Sequence, residues 1–452
     1  MNYLNSACRV VLTGIVCLMM NSSTWAQVKP YSFPKIKPED FKSKVYEKDT
    51  SAVAVVLGDV GESYLEYNDI KGFQLIFERH RRIRILSKEG YDYATGAITL
   101  YQKDGNLESL ATLKGYTYNL VDGKVEDEKL GNSNIFDERI NRNWIRTKYT
   151  MPDVKVGSII DIRYKIISDY IWNLRDWEFQ STIPVQWSEY TVKVPEYFVF
   201  SKLVHGSQPF AISEITTASG SVTIVTKNRD TGTNGQTVQT SFDREQVEFI
   251  QNVYHFATSD VPALKEEPYA TAMTNFITKV EFELLYSQFP KSGRTNYTTS
   301  WQEICDGLIH DADFGDQLSR TGIVKEPARV IYTKNATQLE KMIAAHAYIR
   351  SRMNWNGKTG LYPTTTLHDA FDKNTGNATD INLLLFLMLK ELGLDASPVI
   401  LSTRDNGILV ESHPVFTQVN YVVASVVIDG KTFLLDATGK NRPYNFLPQR
   451  CL

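Results

Sequence analysis

Gly376-Asn377-Ala378-Thr379-Asp380-Ile381-Asn382-Leu383-Leu384-Leu385-Phe386-Leu387-Met388-Leu389-Lys390-Glu391-Leu392-Gly393 is the stretch on which the fold of this chain turns. Ile381, Leu384, Leu385, Met388, Leu389 and Leu392 recur at helical spacing and make one apolar stripe. Leu383, Phe386 and Leu387 make the other side apolar too, so the helix is expected to be buried nearly all round. Gly393 supplies the usual stop. Downstream, Val399 to Leu401 reads as a strand, and Val419 to Ile428, Asp429-Gly430 and Lys431 to Leu435 read as a hairpin with a two-residue turn. A buried helix leading into an antiparallel sheet is an α+β arrangement.

Upstream of it a second helix is expected where Leu339, Met342, Ile343, His346, Ile349 and Met353 recur, with Asn335 or Thr337 as its cap. His346 sits on the apolar stripe and reads as a buried, hydrogen-bonded histidine. The helical pattern begins near Trp301. Before it, Ala52 to Leu57, Phe73 to Leu86, Ile159 to Ile166 and Tyr190 to Val194 favour β-branched and aromatic residues, with Asp122-Gly123 and Val156-Gly157 supplying turns. The expectation is a multidomain chain. An N-terminal all-β region of antiparallel, sandwich-like sheets spans 51–290, and an α+β domain spans 291–452. Within the β region, Arg79-His80-Arg81-Arg82-Ile83-Arg84 reads as charges on the solvated face of a strand. Trp144, Trp172, Trp177 and Trp187 read as core or cross-strand aromatics, ahead of a sugar-stacking surface.

The first 26 residues read as an export signal: Arg9, an apolar run from Val10 to Met20, and small residues around Ala26 where cleavage is expected. That run is too short to anchor the chain in a bilayer, and no other stretch is long enough to span one. Cys17 follows Val16, where a lipid-attachment signal wants a small residue, which argues against lipidation. Residues 27–50, rich in Pro and Lys, read as a linker or arm. The mature chain is therefore expected in the periplasm or at the cell surface, with no transmembrane span. Its end at Arg450-Cys451-Leu452, without a polar tail, suggests a longer relative that continues.

The 452 residues are 42% hydrophobic and carry a formal net charge of -3, enough apolar content for two or three cores and no electrostatic footprint for a nucleic acid. After signal removal only Cys305 and Cys451 remain, and the 7 histidines include no metal-binding spacing, so no disulfide framework, metal or cofactor is expected.

The buried helix behind a Gly-x-x-x-Asp turn, followed by a hairpin ending in Leu434-Leu435-Asp436-Ala437-Thr438, resembles the transglutaminase-like superfamily, a branch of the papain-like fold, from about Tyr297 onward. Met151-Pro152-Asp153-Val154-Lys155-Val156-Gly157-Ser158-Ile159-Ile160 and Val261-Pro262-Ala263-Leu264-Lys265-Glu266-Glu267-Pro268-Tyr269 resemble the domain-of-unknown-function family numbered 3857, which precedes such domains in exported bacterial proteins. The first resemblance implies a cysteine at the helix N-terminus, a histidine followed by an aromatic residue at the start of a hairpin strand, and an aspartate. Ala378 and the pair Asn420-Tyr421 occupy the first two slots, and Asp436 is the third. A methyl group cannot attack a carbonyl and a neutral amide is no general base.

The chain is accordingly expected to be a pseudoenzyme that binds a peptide, glycan or protein partner. Asn377, Thr379, Asp380, Tyr421 and His413 are candidate cleft residues, and Asp436 is expected to accept hydrogen bonds from Asn420. The competing expectation is a hydrolase or acyltransferase on peptide or glycan substrates, with Thr379 or Asp436 as nucleophile and His413 as base. Cys305 and Cys451 are expected to lie away from the cleft.

Overall fold

The computed structural model describes residues 31–451 apart from 44, 104, 141–142, 232–236, 266–274, 291, 298–299, 410–413 and 415. The segment expected to be an export signal, 1–26, and His413 thus lie outside the described residues. By its internal contacts the chain divides into Met1–Lys35 and Ile36–Leu452, and the architecture below belongs to the second unit.

The β region is built on an 11-stranded sheet. Its middle runs Thr237–Val261, Val185–Pro195, Ala54–Asn68, Gly72–Ile85, Ile159–Ser168 and Asn106–Val121. Neighbours pair antiparallel except Ala54–Asn68 with Val185–Pro195, which run parallel. The Asp122-Gly123 turn joins Val121 to its partner Lys124 with both residues at positive φ, +48° and +77°. Asp and Gly tolerate that region of backbone space, which is why this pair closes a two-residue hairpin.

A 4-stranded sheet that includes Phe198–His205 and Lys279–Ser287 packs on one face of the large one. Leu65, Leu75 and Phe77 from the large sheet meet Phe198, Phe200, Val280 and Phe282 from the small one around Trp177 and Tyr190. The result is a sandwich core in which aromatic rings and aliphatic side chains interleave. Trp177 is 1% exposed and belongs to that core, while Trp172 is 47% exposed.

The basic run departs from the expectation of a solvated face. Strand alternation does separate its charges onto two faces, but partner strands bring a buried carboxylate to each. Arg79 and Arg81 meet Asp59, and His80 and Arg82 meet Asp161. Asp59 and Asp161 are 4% and 3% exposed, so the arginines form ion pairs to buried carboxylates, and His80, whose pKa burial lowers, hydrogen-bonds to Asp161.

The C-terminal region is mixed α and β. Helices Trp301–Ile309, Lys325–Lys334, Gln338–Arg352 and Leu367–Lys373 surround the helix Ala378–Glu391, and a 3-stranded antiparallel sheet of Asp395–Leu401, Tyr421–Ile428 and Lys431–Leu435 covers it. Every residue from Ala378 to Leu389 is buried. The Gln338–Arg352 helix starts at Thr337, whose hydroxyl accepts from Glu340 N while the Glu340 carboxylate accepts from Thr337 N. Leu339 falls off its buried stripe at 40% exposure. Among the described residues no helix is long and apolar enough to cross a membrane.

Candidate functional site

The candidate site forms where the N-terminus of the Ala378–Glu391 helix meets the hairpin. Asn377 is the N-cap: its side chain accepts from Asp380 N at 2.8 Å, and the Asp380 carboxylate accepts from Asn377 N at 2.8 Å. Asn377 Nδ2 also donates to Tyr362 O at 2.8 Å, tying the cap to the preceding loop. The Asp380 carboxyl is buried, which raises its pKa, and the Thr364 hydroxyl donating to it at 2.6 Å partly offsets that rise. Asp380 thus closes the helix start and presents no free oxygen to a substrate.

Ala378 is the first helical residue, fully buried against Tyr421 and Val423. Trp355, Leu401 and Cys451 pack around that cluster. Thr379 is also fully buried, and its hydroxyl donates to Gly360 O. Asn382 lies one turn after Ala378, on the same helix face. Its amide donates to Asp436 Oδ2 at 2.8 Å and to Val422 O at 2.9 Å, and its carbonyl accepts from Ala437 N at 2.9 Å.

Asp436 is 1% exposed and its two oxygens accept four hydrogen bonds. Asn382 and the Tyr421 hydroxyl, at 2.7 Å, take Oδ2. Thr438 N and the Thr438 hydroxyl, at 3.1 and 2.5 Å, take Oδ1. His346 donates through Nε2 to the Asp436 carbonyl at 2.9 Å, so the buried histidine supports the aspartate from behind. Arg450 completes the layer: it donates to the Tyr421 oxygen at 2.8 Å and the Thr438 oxygen at 2.5 Å, with its guanidinium 4.2 Å above the Trp355 ring.

The expected contact between Asn420 and Asp436 is not made. Asn420 instead accepts from Thr403 N at 2.8 Å and donates to the Thr403 hydroxyl at 2.7 Å. Neighbouring residues along an extended chain point to opposite sides, so the side chain that reaches the aspartate is the next one, Tyr421. Cys451 also departs from expectation, since it lies in the cluster around Ala378 while Cys305 sits on the Trp301–Ile309 helix. Burial, with Asp436 adding to it, pushes the Cys451 thiol up to about 12, so it stays protonated.

Electrostatically the layer holds its protons. Burial raises the Tyr421 phenol, and the nearby Asp436 charge raises it further, against a smaller lowering from Arg450 and Thr438. Burial also keeps His346 neutral, below the ordinary imidazole value. Hydrogen-bond roles follow in one direction, from Arg450 to the Tyr421 oxygen and from the Tyr421 O–H to Asp436. In this chain Asp436 already accepts four hydrogen bonds and the Tyr421 O–H is committed to it. Arg450 and Trp355 carry no signal in the sequence, whereas Thr438 closes the Leu434–Thr438 motif and Asn382 could have been read from its helical spacing to Ala378. Among the described residues no group of three or more His, Cys, Asp or Glu side chains is placed to hold a metal ion.

The sandwich that precedes this site has a match among known families. Residues 74–231 match the model of a domain of unknown function with solved structure, DUF3857. That span contains the Met151–Ile160 segment and stops short of Val261–Tyr269. No curated protein matches the chain. A crystal structure named for a "putative protease" from Parabacteroides distasonis is similar in fold, with a TM-score of 0.52 at 14% identity over 88% of this chain and 72% of the other. Yeast LTA4 hydrolase, solved with bestatin, aligns over 81% of this chain and 46% of its own at 10% identity, but its TM-score of 0.21 carries no structural argument.

Proposed function

We propose that this chain is an exported transglutaminase-like pseudoenzyme, in which a papain-like C-terminal module binds a peptide, glycan or protein partner without turning it over. One arrangement carries the reading. A methyl group, Ala378, stands at the helix N-terminus where a thiol would attack, and a protonated phenol, Tyr421, stands on Asp436 where an imidazole would take the proton. The alternative nucleophiles are both engaged: the Thr379 hydroxyl is buried and bonded to Gly360 O, and Asp436 is saturated by four donors. Export to the periplasm or cell surface rests on the signal-like first 26 residues.

The test is turnover by the purified mature chain on glutamine-containing peptides with a fluorescent primary amine, scored for both hydrolysis and amine transfer, alongside binding of a peptide and glycan panel. The expected result is no turnover above buffer and at least one saturable ligand whose binding weakens in Trp355→Ala. Turnover that disappears in Thr379→Val or Asp436→Asn while the fold is retained would overturn the reading and establish an enzyme with an altered nucleophile.

A further inference from the structure

A second site lies in the sandwich, far along the chain from the helix and hairpin. The register of Ala54–Asn68 against Gly72–Ile85 pairs Asp59 with Arg81 and Gly61 with Arg79, placing one acid and two guanidinium groups on the sheet face that meets Trp177. A cavity of about 440 Å³ opens there, lined by Asp59, Arg79 and Arg81 on one strand pair and by residues 178–182 beside them. That volume falls in the range of small-molecule sites.

Half of the charge is consumed internally. Arg79 donates to both oxygens of Asp59, at 2.8 and 2.6 Å, and lies 4.8 Å above the Trp177 ring. Trp177 is itself fixed: it stacks on Tyr190 at 5.0 Å and 8°, and donates from its indole N–H to the Ser188 oxygen at 3.0 Å. It also rests against Gly61, where a Cβ would come within 2.1 Å of the ring. The wall is therefore built before any ligand arrives, which lowers the entropy lost on binding.

The other half is shared: Arg79 and Arg81 both pair with the single Asp59 carboxylate, which leaves one positive charge in excess. Arg81 faces the same Asp59 through Nε at 3.2 Å, but that nitrogen is buried and forms no hydrogen bond. Glu178 lines the same cavity and is solvent-exposed; its backbone lies in a strand paired with Lys279–Ser287, and its side chain forms no ion pair or hydrogen bond with any described residue. Between these two charges the lining combines the apolar side chains of Phe179, Val185, Leu264 and Ile277 with the polar ones of Gln180, Ser181, Thr182 and Ser188. A simple anion would answer Arg81 and leave Glu178 unanswered; a simple cation would do the reverse. We propose that the cavity binds a small zwitterion of the α-amino acid or short-peptide class. Its carboxylate lies on the planar fork of Arg81, its ammonium on Glu178, and its apolar body against the four hydrophobic residues.

Titration calorimetry on the mature protein tests this with L-leucine and L-leucyl-L-leucine as probes, each compared with its N-acetylated and its C-amidated form. The parent compound binds saturably, and blocking either terminus weakens binding roughly 10-fold or more, the worth of a charge-assisted hydrogen bond. In Arg81→Met the amide binds as well as the parent, and in Glu178→Gln the N-acetyl form does. Whichever parent binds more tightly distinguishes a free amino acid from a peptide. Near-UV circular dichroism of the tryptophans checks that Arg81→Met is folded; the exposed Glu178→Gln and the analogue series on wild type keep the test open if it is not. Blocked analogues that bind wild type as tightly as the parents would overturn the proposal, as would no saturation by either parent up to about 10 mM, the edge of weak specific binding.

Discussion

The Tyr421 oxygen is where the candidate site is held together, because it gives one hydrogen bond to Asp436 and receives two from Arg450. Tyr421→Phe keeps the ring in its buried seat and removes only those bonds. It leaves a buried carboxylate short of a donor, so a loss of about 1–3 kcal/mol in urea unfolding is expected. An unchanged midpoint would mean that the Asn382 and Thr438 donors suffice. The identity of this residue was half legible. The hairpin strand and its Asp could be read from alternation and the Asp429-Gly430 turn, but the side chain that meets Asp436 depends on strand register, where a one-residue slip exchanges the faces. The sequence points to Asn420 in that place, and Tyr421 occupies it. A similar dependence on distant partners hides Gly61. Nothing local marks it, yet Gly61→Ala would drive a methyl into Trp177, with about 1–3 kcal/mol of destabilisation and an altered Trp near-UV signal expected.

At the scale of elements, the central helix was legible from its sequence because an all-round apolar pattern admits few other placements, and its capping box is local chemistry. Asn377→Ala removes both the acceptor for Asp380 N and the donor to Tyr362 O, and should cost about 1–2 kcal/mol in chemical unfolding. The Gln338–Arg352 helix is joined to the hairpin through His346, and this joint is pH-dependent. Burial first, against a smaller opposing pull from the Asp436 carbonyl, places the folded-state pKa of His346 below its unfolded value of about 6.5. The unfolded chain therefore takes up this proton first. Stability from the neutral ring is complete above that value and is lost as pH falls from it toward the folded pKa. His346→Gln keeps an N–H donor and cannot titrate. Comparing urea midpoints at pH 7.5 and 5.5, wild type should lose more stability than the variant; equal losses would show that His346 stays unprotonated in both states or charged in both. The charged run in the sandwich was not legible at this scale, because the acids that bury it, Asp59 and Asp161, lie on other strands 20 or more residues away.

Across the whole molecule, the β-rich and helical regions meet through a charged contact that neither segment announces by itself. Lys103, on the strand Thr95–Lys103, donates to Asp311 Oδ2 at 2.5 Å, and the Tyr362 hydroxyl reaches the same oxygen at 3.4 Å. Tyr362 also accepts through its backbone carbonyl from Asn377 Nδ2, so the contact runs from the sandwich to the cap of the central helix. Burial pushes the Asp311 carboxyl upward, but Lys103, the Asp313 N–H and Tyr362 together outweigh it and hold the pKa below the ordinary carboxylate value. Stability from this carboxylate is therefore present above its unfolded pKa of about 3.9 and is lost as pH falls through the lower folded value. Lys103→Met retains most of the aliphatic stem and removes the cation, leaving burial unopposed by its main partner, so in the variant the carboxyl titrates at higher pH than in wild type. The penalty for the substitution should then be greatest near neutral pH, at about 1–3 kcal/mol, and shrink as the variant takes up its proton at lower pH. Unfolding midpoints of wild type and variant at pH 7.5 and 4.5 measure that difference. A penalty that stays the same at both pH values would assign the contact to packing of the lysine stem and not to its charge.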